Sequence, residues 1–197
     1  MPRVKQVVAR KDYPHFGISK GQKHYHWKLM TSARSSREFR QVEPPRPSQL
    51  TTSEFLGTIG DIELEFAELV HDENLPDALR EIAERVRAAG EEVRERFENM
   101  PEGLQQGDTG QMLEERADNA ESWADEIEQA ADTLAEALDD IANAPWQELD
   151  AFVGLDPEDE DFEEPDEEDI EEARNEKRSE AYEEAIATAE GGNPGFS

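Results

Sequence analysis

The chain is predicted to be mainly α-helical: a long antiparallel helical hairpin, coiled-coil-like, with a small N-terminal antiparallel β-meander and an acidic disordered tail. Three observations predict this. Two apolar stripes recur at steps of three and four, one from Phe55 to Met100 and one from Leu113 to Ile141. A short segment ahead of them alternates in steps of two. Charge also divides sharply. Residues 1–50 carry eleven Lys or Arg against three Asp or Glu, and residues 51–197 carry nine against forty-seven, within a formal net charge of -30.

Residues 1–43 are read as the basic β-meander. "VKQVV" (Val4 to Val8) is a β-branched run, and Pro14 and Gly17 punctuate the loop after it. Gly21 suits a tight turn. In "HYHWKLM", Tyr25, Trp27 and Leu29 share one face of a strand, and His24, His26, Lys28 and Met30 share the other. After the polar turn "TSARSS", Arg37 to Val42 can pair as a further strand. Residues 44–50, "PPRPSQL", read as a stiff, extended linker, because proline fixes φ and removes a donor.

The helical hairpin is placed at residues 51–155. Thr51 is expected to cap its start, with Glu54 completing a capping box and Leu50 and Phe55 forming a hydrophobic staple. The first stripe runs through Phe55, Ile59, Ile62, Phe66 and Leu69. "HDENLPDAL" interrupts it, as a kink or a true turn, with Asn74 and Asp77 available to recap. It resumes at Leu79, Ile82, Val86, Ala89, Val93, Phe97 and Met100. Gly90 costs a helix about 1 kcal/mol relative to alanine, and close packing would offset that. Pro101, Gly103, Gly107 and Gly110 break the pattern, and Asp108 with Gln111 is expected to cap the next helix. Its stripe runs from Leu113 through Trp123 and Leu134 to Ile141, and its many alanines predict close approach. Pro145 ends it. A two-helix seam is thin, so the meander or a second copy is expected to bury Trp123 and the Phe side chains. Trp146, Leu149, Phe152, Val153 and Leu155 are expected to fold back on the hairpin's open end.

Residues 156–197 form the acidic tail. Thirteen of the seventeen residues from Asp156 to Glu172 are Asp or Glu, and self-repulsion predicts disorder. Residues 171–190 read as a marginal, mostly polar helix.

Composition excludes several chemistries. With no cysteine there is no disulfide, thiol catalysis or Cys-ligated zinc. No secretory leader or membrane span is read, so a cytoplasmic or virion-associated protein is expected. Glycine-loop, nucleophile-elbow and zinc-helix motifs are missing, which points away from an enzyme, and no cofactor is expected. His24 and His26 with His15 nearby make an incomplete metal set, so these histidines are read as surface residues and no metal is assigned. A calcium loop starting at Asp156 fails because Asp161 stands where glycine is needed. Acidic proteomes of salt-loving organisms give the net charge a bland explanation, but a uniform solubility demand does not predict the split.

Nucleic acid is the candidate ligand of residues 1–46. Lys20, Lys23, Lys28, Arg34, Arg37, Arg40 and Arg46 are the candidate phosphate contacts, with Tyr25 and Trp27 as stacking platforms. Against this, the alternation points both aromatics inward and leaves the cations solvated. The acidic tail reads either as a solvated segment or as a tethered cover for the basic one.

"ARKDYPHFGISKG" (Ala9 to Gly21), "PPRPSQLT" (Pro44 to Thr51) and "ENMPEGLQQGDTGQ" (Glu98 to Gln111) resemble small uncharacterised proteins of tailed viruses and prophages. The resemblance covers roughly residues 8–130 and rests on turns, caps and linkers. It implies a virus-related accessory protein and carries no site residue. The expectation is a non-enzymatic interaction or adaptor protein with a protein partner or self-association and no membrane. The alternative is a nucleic-acid-binding accessory factor using the basic meander, modulated by the tail.

Overall fold

Residues 2–32, 34–153 and 165–196 are described by the structure, a computed structural model. They divide into two compact units, one reaching to Glu65 and including Phe196, the other running from Phe66 to Gly195. The chain is mainly helical, with a three-stranded antiparallel sheet near its N-terminus.

In the first unit, β1 (Lys5–Val8), β2 (Lys23–Ser32) and β3 (Ser35–Gln41) form a meander in the order β1-β2-β3. Trp27 stands opposite Phe39 and Lys28 opposite Glu38, which sets both faces. β2 runs further than the polar "TSARSS" suggested. Thr31 and Ser32 stay in the strand, because their hydroxyls bond the Ser35 hydroxyl across the turn at 2.7 Å. The loop before β2 is pinned by Gly17 at φ 64° and Gly21 at φ 88°, a region where a Cβ is strained.

The proline segment is not a spacer. Pro47–Leu50 form a 3₁₀ turn that lies against α1 (Glu54–Phe66). The Ser48 amide donates to Asp61 Oδ1 at 3.1 Å, and the Gln49 carbonyl accepts from Trp27 Nε1 at 3.0 Å. Gly57 and Gly60 make this possible: a Cβ on Gly60 would sit 2.5 Å from Pro47 Cβ. The cap of α1 lies two residues beyond the expected Thr51. Ser53 Oγ accepts from the Leu56 amide at 3.3 Å, while Thr51 Oγ1 accepts from the Ser53 amide.

In the second unit, α2 (Leu75–Glu98) and α4 (Asp108–Asn143) pack against each other, joined through a one-turn α3 (Glu102–Gln105). The break between Phe66 and Leu75 is a true turn. Neither Asn74 nor Asp108 gives a side-chain cap: Asn74 precedes α2 without a side-chain bond, and Gly107 occupies the cap position of α4. Gln105 Nε2 instead closes the end of α2, donating to the Phe97 and Met100 carbonyls at 3.0 and 3.1 Å.

The seam repeats by heptads. Leu79, Val86 and Val93 on α2 are buried, as are Ala117, Ala124 and Ala131 on α4. Arginines flank it with the same period. Arg80 reaches Asp132, Arg87 reaches Asp125 and Arg94 reaches Asp118, at 2.9, 2.9 and 3.1 Å, so the two helices are antiparallel and in register. Arg87 and Arg94 also hold Glu128 and Glu121. The acid partners raise Arg87 above the ordinary arginine value, led by the hydrogen bond to Asp125. Exposed pairs of this kind contribute little stability each but penalise a slipped register.

The tail helix is larger than expected and is docked. α5 (Glu167–Gly191) is capped by Asp166, whose Oδ1 accepts from the Glu168 and Asp169 amides at 3.0 Å each. It packs on α4 and buries Ala173, Tyr182, Ala185 and Ala189. Trp123 is covered from within this unit. Its Nε1 donates to the Ala189 carbonyl at 2.7 Å, and Phe66 lies 6.1 Å away ring to ring. Residues 165–172 of the acidic run belong to Pro165, the Asp166 cap and the first turns of α5. The remaining expected disorder, with Leu155, lies outside the described residues. Leu149 folds inward and Trp146 meets Phe152 edge-on, whereas Val153 is exposed.

Candidate interaction surfaces

The sheet register distributes the seven candidate phosphate contacts over several surfaces. Lys28 and Arg40 lie on the His24–His26 face, and Lys23 and Arg37 lie on the Trp27 face. Lys20 sits in the loop before β2, its amide held by Asp12 Oδ1 at 2.7 Å. Arg34 is in the β2–β3 turn, and Arg46 precedes the 3₁₀ turn. All but Arg40 are exposed. Of the two aromatics, Trp27 is buried and stacked on Phe39, with centroids 5.4 Å apart and planes at 9°, and Arg37 lies over the Phe39 ring. Trp27 is therefore a core residue, as its alternation indicated.

Arg40 is structural. Its Nη1 donates to His24 Nε2 at 2.9 Å, its Nε donates to Glu38 Oε1 at 2.9 Å, and its guanidinium stacks on Tyr13 at 4.2 Å. Since arginine only donates, His24 Nε2 accepts and the ring proton sits on Nδ1, 3.4 Å from the Gln22 carbonyl. His24 is 1% exposed, so it is not a surface histidine. Ala9 and Ile18 are buried in the same part of the chain, where the loop from Ala9 to Gln22 folds back on itself. Alternation in β2 alone does not reveal this second cover.

His26 stands beside this cluster, its Nε2 3.1 Å from Glu38 Oε1 but without hydrogen-bond geometry. Burial and the Arg40 charge lower its pKa, outweighing Glu38. The Arg40 hydrogen bond lowers Glu38 in turn. Among the described residues no three His, Asp or Glu side chains group as a metal site, and no helix is long and apolar enough to cross a membrane.

The other feature of the first unit is an apolar groove of about 570 Å³. Leu29 and Met30 line it from β2, Pro47 and Leu50 from the 3₁₀ turn, and Leu56 and Ile59 from α1. Lys28 and Glu63 supply charge at its wall. Met30 is 64% exposed, a large apolar side chain left to solvent. Phe196 already uses this surface: its ring meets Phe55 edge-on at 5.0 Å and lines the groove. The alternating pattern placed Leu29 inward and Met30 outward, but only the proline turn and the α1 glycines bring their neighbours together.

The chain matches no protein-family model, no curated protein and no solved structure.

Proposed function

We propose that the chain is a non-enzymatic interaction or adaptor protein, an accessory or structural component of a tailed virus or prophage, that docks a protein partner through its N-terminal unit. The observation that carries this reading is the groove between β2, the proline turn and α1. An apolar cleft with an aromatic side chain already seated against Phe55 is suited to another aromatic anchor, the residue class that dominates contact energy at interfaces. The occupant is therefore a partner segment presenting an exposed aromatic between charges that complement Lys28 and Glu63. The resemblance of the turn and linker phrases to phage-encoded proteins supports the viral setting.

The test is capture with the full chain and with Met30→Glu, which changes an exposed side chain and leaves the core intact. A partner purified after capture should bind the wild-type chain with at least tenfold higher affinity than the variant. Equal binding to both, or a partner whose own aromatic residues are dispensable, refutes the groove.

A second reading is nucleic-acid binding through residues 1–46. It is favoured by Lys20, Lys23, Arg34 and Arg46, exposed cations with no ion pair to a carboxylate among the described residues, and by Lys28, exposed opposite Glu38. Single-stranded and duplex DNA titrated against the full chain at two salt concentrations should show saturable binding whose affinity falls with salt. Absence of binding at both salt concentrations removes it.

A further inference from the structure

We propose that the groove of the first unit is a peptide-recognition site whose resident occupant is the chain's own segment after α5, so that a partner's aromatic anchor binds by displacing Phe196. The proposal rests on the docking reading and adds the regulation of that site. Phe196 belongs to the first unit. Its ring is half-buried and meets the buried Phe55 edge-on, with centroids 5.0 Å apart. This is a favoured geometry for an aromatic pair, the positive edge of one ring on the negative face of the other.

The sequence ahead of that ring presents it. Residues 191–195 are Gly, Gly, Asn, Pro and Gly, and Pro194 and Gly195 are exposed, which leaves Phe196 as the anchor of the stretch. The stretch is nevertheless a defined turn. The Asn193 amide donates to the Glu190 carbonyl at 3.1 Å, and the Gly195 amide donates to Asn193 Oδ1 at 3.0 Å. Gly195 stands at φ 67°, a conformation that side chains disfavour. A turn set by Asn, Pro and Gly holds the ring with few internal freedoms, and this lowers the ordering cost of seating it.

The seat is larger than its occupant. About 570 Å³ stays open beside Phe196, walled by Leu29, Met30, Leu50 and Ile59. With Phe196 in place, Met30 is still 64% exposed. The resident segment is therefore a partial ligand. A partner segment carrying an aromatic after a Pro-Gly turn, with further apolar side chains for the open volume, fits the groove better and takes the Phe55 face. Carried on the same chain, Phe196 competes at a local concentration that dilution does not change. A rival's apparent affinity is then reduced in proportion to the fraction of chains whose seat is empty.

The probe is a fluorescein-labelled peptide copying residues 190–197, capped at its free end and titrated by anisotropy against the full chain. Phe196→Ala empties the seat, and the chain carrying it should bind the peptide at least fivefold more tightly than the wild type. The same peptide with Phe196→Ala should not bind, and with Gly195→Ala it should bind several-fold more weakly. Adding Met30→Glu to the Phe196→Ala chain should lower the affinity several-fold. Circular dichroism and tryptophan emission check the fold. Where loss of the ring unsettles the fold, Gly195→Ala in the chain keeps the ring, disturbs its presentation and should also bind the peptide more tightly than the wild type. Equal binding to the wild type and to Phe196→Ala overturns the proposal, since nothing then competes. Weaker binding to Phe196→Ala makes the ring a wall of the groove and overturns it too. So does the absence of saturable binding by the Phe196→Ala chain up to about 1 mM peptide, the local concentration a tethered segment reaches. Wild-type chains that dimerise with concentration in light scattering, and lose this on Phe196→Ala, place the segment on a second copy and overturn its role within one chain. The docking reading is tested separately. A captured partner weakened by Met30→Glu but indifferent to Phe196→Ala leaves docking intact and removes the competition. The expected peptide behaviour without any captured partner leaves the competition and removes docking.

Discussion

Alanine at position 90 should destabilise the protein, although alanine is the better helix former. Gly→Ala inside a helix stabilises by about 1 kcal/mol where the side chain is free. Here a Cβ would stand 2.9 Å from Ala120 Cβ and 3.4 Å from the Ala117 carbonyl. Carbon atoms in contact rest at about 3.5–4.0 Å, so α2 and α4 must separate locally. Overpacking of this kind costs about 1–3 kcal/mol, which leaves a net loss of about 0–2 kcal/mol after the propensity gain. The sign depends on Ala120. In an Ala120→Gly background the closest contact disappears, and Gly90→Ala should then stabilise by about 1 kcal/mol. The double-mutant cycle should therefore show a coupling of about 1–3 kcal/mol. Urea unfolding followed by the helical circular dichroism signal, at one salt concentration, measures all four chains. Stabilisation by about 1 kcal/mol in both backgrounds would refute the close approach of the two helices.

Gly60→Ala should be harsher, because its Cβ meets Pro47 at 2.5 Å and proline cannot rotate away; a loss of about 1–3 kcal/mol is expected, with Trp27 emission reporting the disturbed turn. Trp123→Phe keeps an aromatic ring but leaves the Ala189 carbonyl without its donor, so about 1–3 kcal/mol should be lost and amides 182–190 should exchange faster in hydrogen-exchange mass spectrometry. Arg87→Gln should cost about 0.2–1 kcal/mol in dilute buffer and nothing measurable in 1 M salt, where screening removes the rung; an undiminished cost at high salt would contradict its electrostatic origin. The pKa of His26 is lower folded than unfolded, so just below pH 6.5 the unfolded chain binds more protons and stability rises with pH. Glu38 is also depressed, and its contribution is lost as pH falls below about 4.5. Acidification from pH 7 should thus weaken the meander in two stages, and His26→Gln should flatten the first when unfolding is followed by Trp27.

Local chemistry already announced much of this molecule. Steps of three and four place Leu79, Val86 and Val93 on one line of α2, because a helix turns 3.6 residues at a time. Alternation puts Trp27 and Lys28 on opposite faces for the equally local reason that a strand turns over at each residue. Alanines at 117, 124 and 131 signalled a close seam, since the small side chain is its own evidence. The marginal helix of the tail was legible as a helix. Its docking was not: α5 is held by buried alanines, Tyr182 and one indole hydrogen bond, and none of these makes a strong periodic pattern.

Contacts between distant positions needed the tertiary structure. The proline segment read as a spacer because proline restricts its own φ; that it lies on α1 depends on Gly57, nine residues from the Ser48 it meets, and Gly60, thirteen from Pro47. Arg40 read as one more surface cation until His24, Glu38 and Tyr13 were brought around it. The groove likewise combines β2, the proline turn and α1 with Phe196 from the far end of the chain. Sequence therefore determined which faces are apolar, where α1, α2 and α4 begin within a residue or two, and where charge lies. Which face meets which, and hence which polar groups remain unpaired, was decided by packing, because burial and pairing are properties of neighbours that the chain order does not list.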